Sequence, residues 1–155
     1  MAGEGVNRGD VAEWLRREHQ ALTALGKVLR EHIALMPEAG APDWLRGLRA
    51  AFERLRAHLE QNFAAQEKGR FFQNLLDLRP TLSKQVERLR HEHTELLRMA
   101  DRIRAELAEI DAADRLLAAD LSARIQRFLA VVAQHEQRES TITLLVFNEE
   151  LGGGD

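Results

Sequence analysis

Leu15, His19, Leu22, Leu25, Leu29, Ile33 and Met36 follow one another at intervals of three or four residues, the spacing that keeps side chains on one face of an α-helix. Three further stripes repeat the pattern. The second carries Phe52, Leu55, Leu59, Asn62 and Gln66; the third carries Val86, Leu89, His93, Leu96, Ala100, Ile103, Leu107 and Ile110. The fourth carries Leu121, Ile125, Phe128, Val132, His135, Glu139, Ile142 and Val146. No segment shows the alternation of a half-buried strand, and only three prolines interrupt the chain. The expected fold is therefore all-α, an antiparallel up-down-up-down four-helix bundle with short connections. Asp10, Asp43 and Asp111 are candidate N-caps for the first, second and fourth helices. The first helix is expected to run to Met36, and the second to fade near Gly69 and resume through Leu75 and Leu76. A single domain over 10–148 leaves tails at 1–9 and 149–155.

A chain of 155 residues is long enough to bury most of its apolar surface without staples, and it has no cysteine for a disulfide or a thiolate site. Its net charge is -3, with both signs interleaved, so no basic footprint for nucleic acid is present. The N-terminus lacks the apolar core of a signal peptide, and no run reaches the roughly 20 apolar residues that span a bilayer. The expectations are a cytoplasmic chain, no nucleic acid and no membrane.

Polar residues on the inner stripes are the informative feature, since a buried polar group without a partner costs about 1–3 kcal/mol. His19, Asn62, Gln66, His93, His135 and Glu139 all lie well inside their helices, where facing positions of a bundle meet at one level. His135 and Glu139 are four residues apart and share a face. A carboxylate on an apolar stripe neutralises or finds a cation. Three histidines and a carboxylate suit zinc or another divalent transition metal, and they equally suit a closed hydrogen-bond network. His91 is turned about 200° from His93 and faces outward, while His32 is nearly 20 Å along its helix from His19. His58 borders the core one turn before Asn62 and is a possible further ligand. Glu67, offset by about 100° from Gln66, turns away from the same centre.

Five segments together resemble the hemerythrin-like, or HHE cation-binding, domains: "REHQAL" around His19, "HLEQNFAAQEKGR" from His58, "LRHEHTELL" around His93, "HEQRE" from His135, and the closing "ELGGGD". The resemblance implies a helical bundle around a non-haem di-iron centre that binds oxygen or related small ligands, or senses iron or redox state. It places ligand positions at His19, Asn62, Gln66, His93, His135 and Glu139. Two depart from the family pattern: Asn62 stands where it has His, and Gln66 where it has the bridging Glu. Leu97 stands where the respiratory hemerythrins carry a second His on the third helix. An amide nitrogen cannot ligate, so Gln66 cannot bridge two cations as a carboxylate does.

The expected function is thus a binding or sensing domain with an impaired site, metal-free or holding one divalent metal at His19, His93, His135 and Glu139. A working di-iron protein that binds oxygen or handles peroxide or iron is the competing reading, with His58 or Glu67 supplying missing donors. A structural interaction module able to form a homodimer is the third. Catalysis has little support, because no nucleophile stands beside a base.

Overall fold

Gly69 and Pro80 decide how the middle of the chain is divided. In the computed structural model, which describes residues 8–152 and side chains of 9–146, five α-helices form. They are α1 (Arg8–Ala34), α2 (Pro42–Lys68), α3 (Phe71–Leu78), α4 (Ser83–Glu109) and α5 (Arg115–Gly152), with a 3-10 turn at Pro80–Leu82 before α4. The expectation of four helices is corrected to five. Gly69 leaves the helix in an extended conformation while its N–H still bonds the Ala65 carbonyl, and the chain restarts at Phe71. Pro80 then excludes Arg79 from the helical region (φ -141°, ψ 83°), which ends α3.

The helix starts also differ from the expected caps. Asp10 and Asp43 lie inside the first turns of α1 and α2, where a carboxylate favours the positive end of the helix dipole. Ala41 is the N-cap residue of α2, with Pro42 at its first position. Asp111 accepts a hydrogen bond from the Ala113 N–H within the connection, and Asp114 accepts one from Leu117 at the start of α5. α1 ends at Ala34 rather than Met36, its last carbonyls being met by Leu35 and Met36 N–H groups at 3.1 Å. Of the expected tails, residues 1–7 and 153–155 lie outside the described residues; Arg8 and Gly9 belong to α1 and 149–152 to α5.

α1 packs against α2 and α5, and α4 packs against the same two helices, so the four long helices close a ring. The arrangement is consistent with a hemerythrin-like helical bundle. α3 folds onto α2, α4 and α5. No helix among the described residues is long and apolar enough to cross a membrane.

The buried apolar side chains form two clusters. One is built from the C-terminal part of α1, most of α2, the second half of α4 and the first half of α5, around Leu29, Leu48, Leu55, Leu59 and Ile125 at 0% exposure. Each such side chain stabilises the fold by about 1.5–3 kcal/mol relative to exposure. The other cluster joins Val11 and Leu15 of α1 to Phe71, Phe72, Leu75, Val86, Leu89 and Val146. Between them lies a polar layer. His19 follows Leu15 and precedes Leu22, His93 lies between Leu89 and Leu96, and His135 and Glu139 lie between Val132 and Val146.

Candidate metal centre

Glu139, 1% exposed, is the meeting point of three helices. Its Oε1 is 2.9 Å from His19 Nε2, and its Oε2 is 3.2 Å from His135 Nε2 and 3.4 Å from His93 Nε2. The outer ring nitrogens are held as well. His93 Nδ1 donates to Glu67 Oε2 at 2.6 Å, and His135 Nδ1 donates to Glu92 Oε1 at 2.7 Å, with Arg138 Nε donating to Glu92 in turn. A carboxylate on Nδ1 keeps the proton on the outside and turns the Nε2 lone pair inward, the arrangement that orients histidines toward a metal.

The donor atoms of His93, His135 and Glu139 lie within 4.8 Å of one another. The group fits a cation on a second ground also. His135 Nε2 is buried without a hydrogen-bond partner, because its approach to Glu139 is close but not aligned as a hydrogen bond. An inward lone pair facing a carboxylate needs a proton or a cation between them. Two imidazole nitrogens and one carboxylate oxygen are a donor set for a divalent transition metal. His19 reaches the same carboxylate through its other oxygen.

Electrostatics follow this geometry. Burial pushes the Glu139 carboxyl up, but the close imidazoles of His135, His19 and His93 outweigh it and hold the group well below the usual carboxylate range. Burial opposes charge on His135, yet attraction to Glu139 and Glu92 raises its affinity for a proton. Burial likewise opposes charge on Glu92, and His135 and Arg138 reverse that effect, lowering its pKa. At Glu136 burial outweighs the attraction of His19 and His135 and pushes the carboxyl up to about 7, and its Oε2 is buried without a hydrogen bond.

Asn62 and Gln66, 2% and 0% exposed, pair with each other instead of with a histidine. Gln66 Nε2 donates to Asn62 Oδ1 at 2.6 Å, and Gln66 Oε1 has no hydrogen-bond partner. Rings wall the group. Phe63 stacks on His93 with centroids 3.9 Å apart and meets His135 edge-on at 5.5 Å, and Phe72 lies 5.5 Å from His93 on α4. His58 sits elsewhere, its Nε2 3.2 Å from Glu18 Oε2 across the α1/α2 contact. His91 is exposed, and His32 is bonded and stacked with Trp44.

The stripes gave no sign of Glu92 or Arg138, and they gave only the direction of Glu67. Glu67 does point away from the three converging donors, but its carboxylate reaches the far nitrogen of His93. Periodicity gives the direction of a side chain from its own helix axis and says nothing of what a neighbouring helix brings to that rim. The one available signal was the placement of both carboxylates beside stripe residues, Glu67 after Gln66 and Glu92 before His93.

His19 is the outlier among the four, with its side chain 15% exposed against 1% for His93 and His135. Its Nδ1 meets the Ser140 hydroxyl at 3.3 Å, and it lines a groove of about 650 Å³ between α1 and α5.

Compared with known proteins, residues 10–144 match the hemerythrin HHE cation-binding domain. Comparison with curated proteins and with solved structures returned no match. A match over nearly the whole chain, on a helical bundle with a buried His/His/Glu group, makes this chain a member of the hemerythrin HHE cation-binding domain family.

Proposed function

We propose that the chain is a cation-binding or sensing domain whose centre holds one divalent transition-metal ion, and that the di-iron arrangement of its family is impaired here. The observation that carries this reading is the convergence of His93 Nε2, His135 Nε2 and the Glu139 carboxylate, with both outer histidine nitrogens fixed by carboxylates. His19 completes the set as a fourth donor against the same carboxylate. A second ion would face Asn62 and Gln66, two neutral amides bonded to each other, and would have to share Glu139 as the sole anion at these six positions. The same reading takes 10–148 as one domain with its long helices antiparallel.

The roles of the residues follow. Glu67 and Glu92 keep protons on the outer nitrogens of His93 and His135 and so hold the inner nitrogens free. Glu139 supplies the compensating negative charge. Phe63 and Phe72 exclude water from His93 and stop its ring from turning. A bound divalent ion supplies an electropositive centre for a small ligand such as oxygen. Without it, the cluster closes when one ring is protonated, a state that the raised proton affinity of His135 supports.

Elemental analysis of chain expressed with ample iron and zinc tests this. One equivalent of metal is expected, lost in Glu139→Gln; two equivalents in the unaltered chain would sink the single-ion reading.

A further inference from the structure

The α1/α5 groove is unlike a route to bulk solvent that merely skirts the site, because His19 is part of its wall. Its other formally charged lining residues are Glu13 and Arg16, and these are paired with each other. The rest of the lining is apolar, as at Leu15 and Leu144, or neutral and hydrogen-bonding, as at Gln20 and Ser140. The volume of about 650 Å³ lies within the range of small-molecule sites. Behind His19 stands the buried Glu139 carboxylate at 2.9 Å, which disfavours an anion seated against the ring.

His19 is also the least anchored member of the cluster. His93 and His135 are each gripped from outside by a carboxylate at 2.6 and 2.7 Å, whereas His19 is backed only by the neutral Ser140 hydroxyl at 3.3 Å. Turning its ring breaks that long contact and one bond to Glu139.

We infer that the α1/α5 groove binds a small uncharged molecule with one hydrogen-bonding head seated against His19, and that His19, positioned by Ser140, is the gate between this groove and the buried centre. The inference rests on the metal reading above for its second half. The groove determines what reaches the centre, and His19 yields while His93, His135 and Glu139 stay fixed.

The test uses pyrazole, uncharged at neutral pH, added to the cobalt(II)-loaded chain and followed by visible absorption. The expected result is a spectral change whose association rate falls by about tenfold or more in Leu144→Trp, with cobalt content unchanged. Leu144 is 56% exposed, so the larger ring narrows the groove without entering the core. Asn74→Trp, in a separate groove beside Trp14 and Phe71, should leave the rate as it is. An unaltered rate in Leu144→Trp, or a response to azide with none to pyrazole, overturns the inference. If no cobalt binds, the metal reading fails by itself, and NMR of the metal-free, histidine-labelled chain decides the groove. A pyrazole-dependent shift of the His19 ring with His91 unmoved supports it; an unmoved His19 ring overturns it.

Discussion

Three imidazoles around one buried carboxylate set competing demands on protons, and these demands fix how the metal-free chain responds to pH. Glu139, with its pKa held low, contributes stability that is present above about pH 4.5 and is lost only as pH falls through its depressed value. His135, with its pKa raised, contributes stability that is full below pH 6.5 and is lost as pH rises through the raised value. Glu136 acts in the same direction as His135, since its folded-state pKa of about 7 exceeds the ordinary 4.5. The metal-free chain should therefore have its highest melting temperature on the acid side of neutrality and lose stability toward pH 8. Glu136→Gln should flatten the part of that decline between about pH 4.5 and 7 in thermal melts; an unchanged slope there would remove Glu136 as a cause. The outer carboxylates give a second residue-scale expectation. Glu92→Gln should weaken zinc affinity by about 10–100-fold with the fold intact by circular dichroism, as loss of a partner behind a metal-binding histidine typically does. Restoring family chemistry with Asn62→His and Gln66→Glu should raise bound iron from one to two equivalents, measured by elemental analysis against the unaltered chain.

Helix contacts explain which parts of the fold were legible. Spacing of three and four residues places a side chain on a face, so the stripes and the six polar residues on them could be read directly from the sequence. The structure finds Asn62, Gln66, His93, His135 and Glu139 at 2% exposure or less. Helix ends were less legible, because an aspartate within the first turn and an aspartate that caps it differ by only one or two positions, as Asp10 and Asp43 show. α3 was ambiguous since Phe71, Phe72, Leu75 and Leu76 suit a short helix or an apolar loop equally well until something is seen to cover them. Contacts across α1 and α2 were invisible to periodicity altogether. Trp44 Nε1 donates to the His32 carbonyl at 2.8 Å, His32 Nε2 donates back to the Trp44 carbonyl at 2.7 Å, and the two rings stack. Gly47 makes room for this clasp, for a Cβ there would lie 2.5 Å from the His32 ring. Gly47→Ala should destabilise the chain by about 1–3 kcal/mol in denaturant unfolding. In the His32→Ala background the penalty should largely vanish; if it persists, the clash with His32 is not its source.

At the scale of the whole molecule, two apolar clusters are separated by one polar layer to which four helices contribute. Any ligand that binds the layer only when folded stabilises all of them at once. Adding zinc at about 100 times its dissociation constant should stabilise the chain by about 2.7 kcal/mol, seen as a chelator-reversible rise in melting temperature. Glu139→Gln should abolish that rise.

The polar layer has one more consequence. His19, His93 and His135 are far apart along a chain that contains no cysteine, and a cation held among them ties these distant points together as a disulfide would. Such a tie restricts the unfolded chain by closing long loops, and the gain grows only slowly with loop length. Unlike a sulfur bridge it would open on chelation or acidification instead of reduction, so with the proposed ion bound the protein would carry a reversible staple whose state is set by free metal concentration and pH.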